Sequence, residues 1–217
     1  MTSKRKQTEF RTLVYTAKFI SMLFRPIYYP LLCSCILFIF TPLALLPLQY
    51  KLLELGTMFV FTIAFPMVLT TMYLKLAHID RAEMRKRENR ILPYCIFIIC
   101  YTVYLYMMHN ANATYLQVSV IIVALLIQIT CTIVSFWWKV SVHAAGAGAI
   151  ISAIAAYGAI FQFNPLFWMS IAIIVAGVVG TSRMILRQHS LSQVTTGIII
   201  GLVCGYYGIL RGYLLFL

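Results

Sequence analysis

The chain has 217 residues, of which 62% are hydrophobic and 10% charged, with a formal net charge of +12. Ordinary soluble domains are about 45–50% apolar and about 25% charged. This balance, with a mean hydropathy of +0.92, excludes a soluble globular enzyme, a disordered tail and, despite a pI near 9.6, a nucleic-acid-binding domain. A spanning helix takes about 20 apolar residues, so the chain has room for at most about nine or ten, and one compact membrane domain is expected.

In chain order, residues 1–26 read as a basic amphipathic helix, with Phe10, Leu13, Phe19, Ile20 and Leu23 among Lys4, Arg5, Lys6, Arg11, Lys18 and Arg25. Such a helix suits a membrane surface rich in anionic lipid. Residues 27–217 form the expected transmembrane domain, with seven apolar segments near 28–48, 54–76, 91–109, 115–138, 143–163, 166–183 and 189–214. Their lengths point to helices, and no period-2 barrel pattern is present. The predicted fold is therefore all-α, a polytopic integral membrane helical bundle of six to seven transmembrane helices. Pro30, Pro42 and Pro47 mark the first segment as one that is broken or only partly inserted.

Short connections follow, His109–Thr114 among them, and Asn164-Pro165 separates the fifth and sixth segments. Residues 78–90 form a longer, highly charged loop. Small residues recur every four positions in the last three segments: Ala144, Gly148, Ser152 and Ala156; Ala172, Ala176 and Gly180; Gly197, Gly201 and Gly205. Such stripes let membrane helices approach closely, so these three are expected to pack together. Trp137-Trp138 reads as part of an aromatic belt. Cys33, Cys35, Cys95, Cys100, Cys131 and Cys204 lie in apolar runs without metal-ligand spacing and read as buried small residues.

Parity brings three polar stretches to one side of the membrane: Arg90, the Lys139–His143 stretch, and the turn holding Ser182, Arg183, Arg187 and His189. Their chemistry suits a phosphate group. Arginines supply forked cations. His143 and His189 each open a helix, where the dipole favours an anion. A neutral imidazole can attack phosphorus while a protonated one gives its proton to the departing oxygen. Gln193 lies four residues after His189 on the same helical face, where its amide oxygen can accept the Nδ1–H and leave Nε2 as nucleophile. No cofactor is implied, and with no metal-ligand set the mechanism is expected to be metal-independent.

Ser182-Arg183, five residues, His189, three residues and Gln193 follow the third motif of the type 2 phosphatidic acid phosphatase superfamily, except that the family ends on Asp. Val140-Ser141-Val142-His143 keeps the Ser and His of its Pro-Ser-Gly-His motif. Arg90-Ile-Leu-Pro93 is a stretched remnant of its Lys, six residues, Arg-Pro motif, and the residue seven before Arg90 is Glu83. The sequence over about 80–208 thus resembles that superfamily, which includes bacterial lipid phosphatases, glucose-6-phosphatases and vanadate haloperoxidases. It also looks similar to a short bacterial branch with Gln at the last position.

The resemblance implies that His189 forms a phosphohistidine, that His143 is the general acid, and that Arg90, Arg183, Ser141, Ser182 and a loop cation hold phosphate. Arg85, Lys86 and Arg87 are the choices for that cation, with Lys86 preferred. It also implies a hydrolase of lipid phosphates or diphosphates, in contact with the bilayer and a lipid phosphate substrate, in a bacterial inner membrane. The alternative is a family member that binds a phospholipid headgroup without turnover, because an amide at 193 cannot stabilise an imidazolium as a carboxylate does. No carboxylate side chain follows Glu88 to replace it. A channel or carrier with a basic gate would need charges mid-span, which the segments lack. The bland reading of Lys139 and Arg187 is interface anchoring, and of the 78–90 charges a cytoplasmic topology signal. By that rule the site faces the cytoplasm, whereas family members place it outside. The sequence leaves both sides open and gives no oligomeric state.

Overall fold

A computed structural model describes residues 2–79 and 88–214, and among these residues every regular element is helical. Helix α1 covers Thr2–Leu23 and α2 covers Tyr29–Phe40, with a 3₁₀ turn at Pro26–Tyr28 between them. Helix α3, Leu48–Phe59, continues through a π-helical turn at Val60–Ala64 into α4, Phe65–Leu76. Then come α5 (Glu88–Asn110), α6 (Tyr115–Ser135), α7 (Val142–Phe161), α8 (Leu166–Ile185) and α9 (Leu191–Leu214). Among the described residues seven stretches are long and apolar enough to cross a bilayer, the first running Gln7–Phe40 and the second Leu48–Leu76. The chain is thus an all-α polytopic membrane bundle.

Local chemistry explains the two irregular spans. The first segment, expected near 28–48, is broken: α2 ends at Phe40, Thr41 is extended, and Pro42–Leu45 forms a 3₁₀ turn. Pro42 and Pro47 cannot donate to a helical ladder. At about 18 Å, α2 alone is shorter than a hydrocarbon core of about 30 Å. In the second span, Pro66 has no N–H to offer the carbonyl of Thr62, and the helix widens there into its π turn.

The bundle is organised around α7 and α9. A Cβ on Gly201 would collide with the carbonyl oxygen of Ala145, and one on Gly197 would lie 2.6 Å from the carbonyl oxygen of Ser141. Only glycine permits this backbone approach. The small-residue stripe thus does for α7 and α9 what its spacing foretells, and α8 joins through Ala172 and Ala176 against Ala147 and Ile151. A further pair, Gly208 and Gly212, brings α9 against Val123 and Ser119 of α6. The core between α6, α7 and α9 holds Ile127, Cys131, Ala145, Ala149, Ala156 and Ile209. A second core sets Met58 against Tyr101, Tyr104 and Ile121. Large apolar side chains such as Phe40, Leu53, Ile99, Phe167, Ile174 and Tyr207 point outward, as lipid-facing helices require.

Helix α1 does not stand apart from this bundle. Leu13, Thr16, Ala17 and Ile20 share a groove with Ile174, Gly177, Val178, Thr181, Ser182 and Ile185 of α8. Ala17 and Ser21 are buried. The chain then turns at Pro26 and α2 leads away from the same end of the bundle, where Leu37 and Phe38 meet Leu116 and Val120.

Candidate active site

The starts of α7 and α9 are built by capping. Ser141 is the N-cap of α7, its hydroxyl accepting from the Ala144 N–H at 3.4 Å. Ser190 and Gln193 form a reciprocal capping box on α9. The Ser190 N–H donates to Gln193 Oε1 at 3.3 Å, and the Gln193 N–H donates to Ser190 Oγ at 3.4 Å. The two helix starts are tied together directly, because the Ser141 N–H donates to the Gln193 carbonyl at 3.3 Å. On the other flank, α8 ends in a turn whose Gln188 N–H donates to the Arg183 carbonyl at 3.1 Å. Arg187 there has φ 52°, a left-handed position that a non-glycine residue adopts at a cost of roughly 1–2 kcal/mol. This turn carries the chain from Arg183 to His189 within a few residues.

His189 is buried, and its Nδ1 lies 3.1 Å from Gln193 Oε1. That oxygen also receives the Ser190 N–H, so it acts as an acceptor towards both, and the ring proton belongs on Nδ1. In the neutral ring Nε2 then carries the lone pair. His143 Nε2 lies 3.2 Å from the Ser21 carbonyl, which can only accept, so this nitrogen carries a proton. Arg183 is buried and its Nη1 donates to Ser21 Oγ at 2.5 Å. Arg183, His189 and Arg25 all act electrostatically on His143.

These side chains share one cleft of about 480 Å³. Arg25, His143, Arg183 and His189 stand at its polar end. Its remaining walls are mainly apolar, among them Pro30, Cys33, Phe97, Tyr101, Val120, Ala124, Ala149, Ala153 and Tyr157. From His143 to Tyr157 this surface follows α7 for about 20 Å. Among the described residues, no carboxylate lines the cleft. Among the described residues, no three His, Cys, Asp or Glu side chains gather closely enough to hold a metal ion.

The sequence-predicted residues divide into three sets. His143, Arg183 and His189 converge, with Gln193 behind His189. Ser141 and Ser182 do not line the cleft. The Ser141 hydroxyl is taken by its cap, and the Ser182 hydroxyl donates to the Val179 carbonyl at 2.7 Å beside the α1 groove. Arg90 stands in the first turn of α5, and its side chain lies outside the described part of the structure. Lys86, like Arg85 and Arg87, lies outside the described residues. Ser21 and Arg25 reach the site from an N-terminal stretch whose composition points only to a membrane-surface helix. The polar Ser21 on a face shared with buried Ala17 was the available signal.

Residues 128–213 match the sequence model of the PAP2 superfamily, whereas neither a curated protein nor a solved structure matches the chain. The match takes in both histidines, Arg183 and Gln193 and leaves Arg90 outside. It supports a phosphatase-type function. The stretch that brings His143, Arg183 and His189 to the cleft's polar end is thus the one similar to the PAP2 superfamily.

Proposed function

We propose that the protein hydrolyses a lipid phosphate or diphosphate through a phosphohistidine intermediate on His189. The observation that carries this reading is the opening of His189, His143 and Arg183 onto one end of a deep apolar cleft. A headgroup phosphate sits among the cations while an acyl or prenyl chain follows the apolar walls into the bundle.

His189 Nε2 attacks phosphorus and a P–N bond forms as the P–O bond to the lipid breaks. The departing lipid oxygen takes a proton from the His143 imidazolium, which the anionic substrate keeps charged, and the ring is left neutral. Water then attacks the phosphohistidine and gives a proton back to His143, and inorganic phosphate leaves as Nε2 regains its lone pair. Gln193 holds the Nδ1–H throughout, which keeps Nε2 aimed outward. Arg183 stabilises the charge on the equatorial oxygens in the transition state.

Ser21 adds a condition. While its carbonyl holds the His143 Nε2–H, that proton is not available to a leaving group. Substrate entry must therefore draw His143 away from Ser21.

The test is phosphate release by the purified protein from a panel of phosphatidic acid, phosphatidylglycerophosphate and undecaprenyl diphosphate, with His189→Ala alongside. Release by the wild type and its loss in His189→Ala support the reading. Equal release by both proteins overturns it.

A further inference from the structure

We infer that the corner between α1 and α2 is the third wall of the phosphate site, with Arg25 binding the headgroup phosphate and Ser21 positioning Arg183 for it. This rests on the phosphate-site reading above and adds two residues to it from a part of the chain outside the matched stretch.

Three observations converge. Arg25 lines the same cleft as His143, Arg183 and His189, and its charge acts on the His143 ring. Ser21, 7% exposed, makes two contacts with that group: its hydroxyl accepts from Arg183 Nη1 at 2.5 Å and its carbonyl accepts from His143 Nε2 at 3.2 Å. The corner itself is held in place. Pro26 opens the 3₁₀ turn, and the Tyr28 N–H donates to the Arg25 carbonyl at 3.0 Å. The Tyr29 hydroxyl donates to the Phe24 carbonyl at 3.2 Å. The Tyr29 ring fills the space that a side chain at Gly146 would occupy, one turn along α7 from His143.

The electrostatics say why a ligand is needed. Two guanidinium groups and two imidazoles gather at one end of the cleft, and among the described residues no carboxylate lines it. Like charges so placed repel in a poorly solvated site, and an anion between them removes the repulsion. A guanidinium also presents a planar fork that a phosphate accepts on two oxygens. Arg25 comes from the corner after α1 and Arg183 from the end of α8, and both line the cleft beside His143, so the two can share one phosphate. Ser21 holds one nitrogen of Arg183 and thereby restricts the guanidinium to one orientation. It acts as a positioning residue.

The test is equilibrium binding of inorganic phosphate to the full chain in detergent micelles, independent of turnover. Arg25→Gln is expected to weaken binding about tenfold, the loss of one charge-assisted pair, and Arg25→Lys to recover part of it. Ser21→Ala is expected to weaken binding several-fold, with Ser21→Thr close to the wild type, as a hydroxyl role requires. Arg211→Gln, at the far end of α9, serves as the control and is expected to bind like the wild type. With phosphatidic acid as substrate, Arg25→Gln should raise KM more than it lowers kcat. Wild-type binding that survives Arg25→Gln unchanged overturns this inference and leaves the phosphate-site reading standing. A wild type that binds no phosphate overturns both.

Discussion

The carbonyl of Ser21 lies 3.2 Å from Nε2 of His143, so a residue of the first helix holds the proton of the proposed general acid. Glutamine at 143 can also donate to that carbonyl, yet it cannot transfer a proton at neutral pH. His143→Gln is therefore expected to keep the fold and phosphate binding while turnover falls about 10²–10⁴-fold. Phosphate release and phosphate binding on the same preparation check this. Equal turnover by the variant would remove His143 from proton transfer.

Gln193 serves two neighbours with one oxygen, the His189 Nδ1–H and the Ser190 N–H. Glutamate has the same reach, so Gln193→Glu retains the capping box and sets a negative charge against the imidazolium that forms at His189. A charge-assisted hydrogen bond is worth roughly 1 kcal/mol more than a neutral one, and turnover is expected to rise about fivefold. Gln193→Leu removes both acceptor bonds and is expected to lower turnover and the melting temperature together. A kcat for Gln193→Glu at or below the wild-type value would show that orientation, not charge, limits the reaction.

Gly201 fixes the distance between the two histidine-bearing helices. Its Cβ position overlaps the Ala145 carbonyl oxygen, which belongs to the backbone and cannot swing aside. Gly201→Ala is expected to destabilise the protein by about 1–3 kcal/mol and to reduce turnover as α7 and α9 separate. Gly177 on α8 has nothing within 4 Å of its Cβ position, and Gly177→Ala should leave both quantities at wild-type values. Thermal unfolding in detergent compares the two.

Ala153 lines the apolar part of the cleft about 15 Å along α7 from His143. Ala153→Phe fills that space. Long acyl chains lose contacts worth about 0.8 kcal/mol per buried methylene, while short chains do not reach the added ring. The kcat/KM ratio of long-chain to short-chain phosphatidic acid is expected to fall about tenfold. An unchanged ratio would mean that the chain does not lie in the cleft.

Much of this was legible in the sequence, for identifiable reasons. The apolar periods are long enough to name the spans, and the four-residue stripes of small residues marked the last three helices as a packed group, within which the structure brings α7 and α9 into backbone contact. The i to i+4 spacing of His189 and Gln193 foretold their hydrogen bond, now seen at 3.1 Å. That Ser190 and Gln193 also form a capping box needed the backbone path at the start of α9. It gives the glutamine a structural role that a motif comparison alone reads only as a departure. Ser141 and Ser182 were chosen by motif, but hydroxyl direction depends on local backbone angles, and both turn to neighbouring backbone instead. Ser21 and Arg25 meet the site across more than a hundred residues of chain, and single-sequence periodicity carries no information about which helices become neighbours.

The most direct measurement is a trapping experiment with phosphatidic acid labelled on its phosphate, quenched during turnover. An acid-labile, base-stable phosphate on His189 is expected, absent from His189→Ala and reduced in Gln193→Leu. Binding of the lipid with no covalent label on the protein, in an active preparation as well as after long incubation, would contradict the phosphohistidine route.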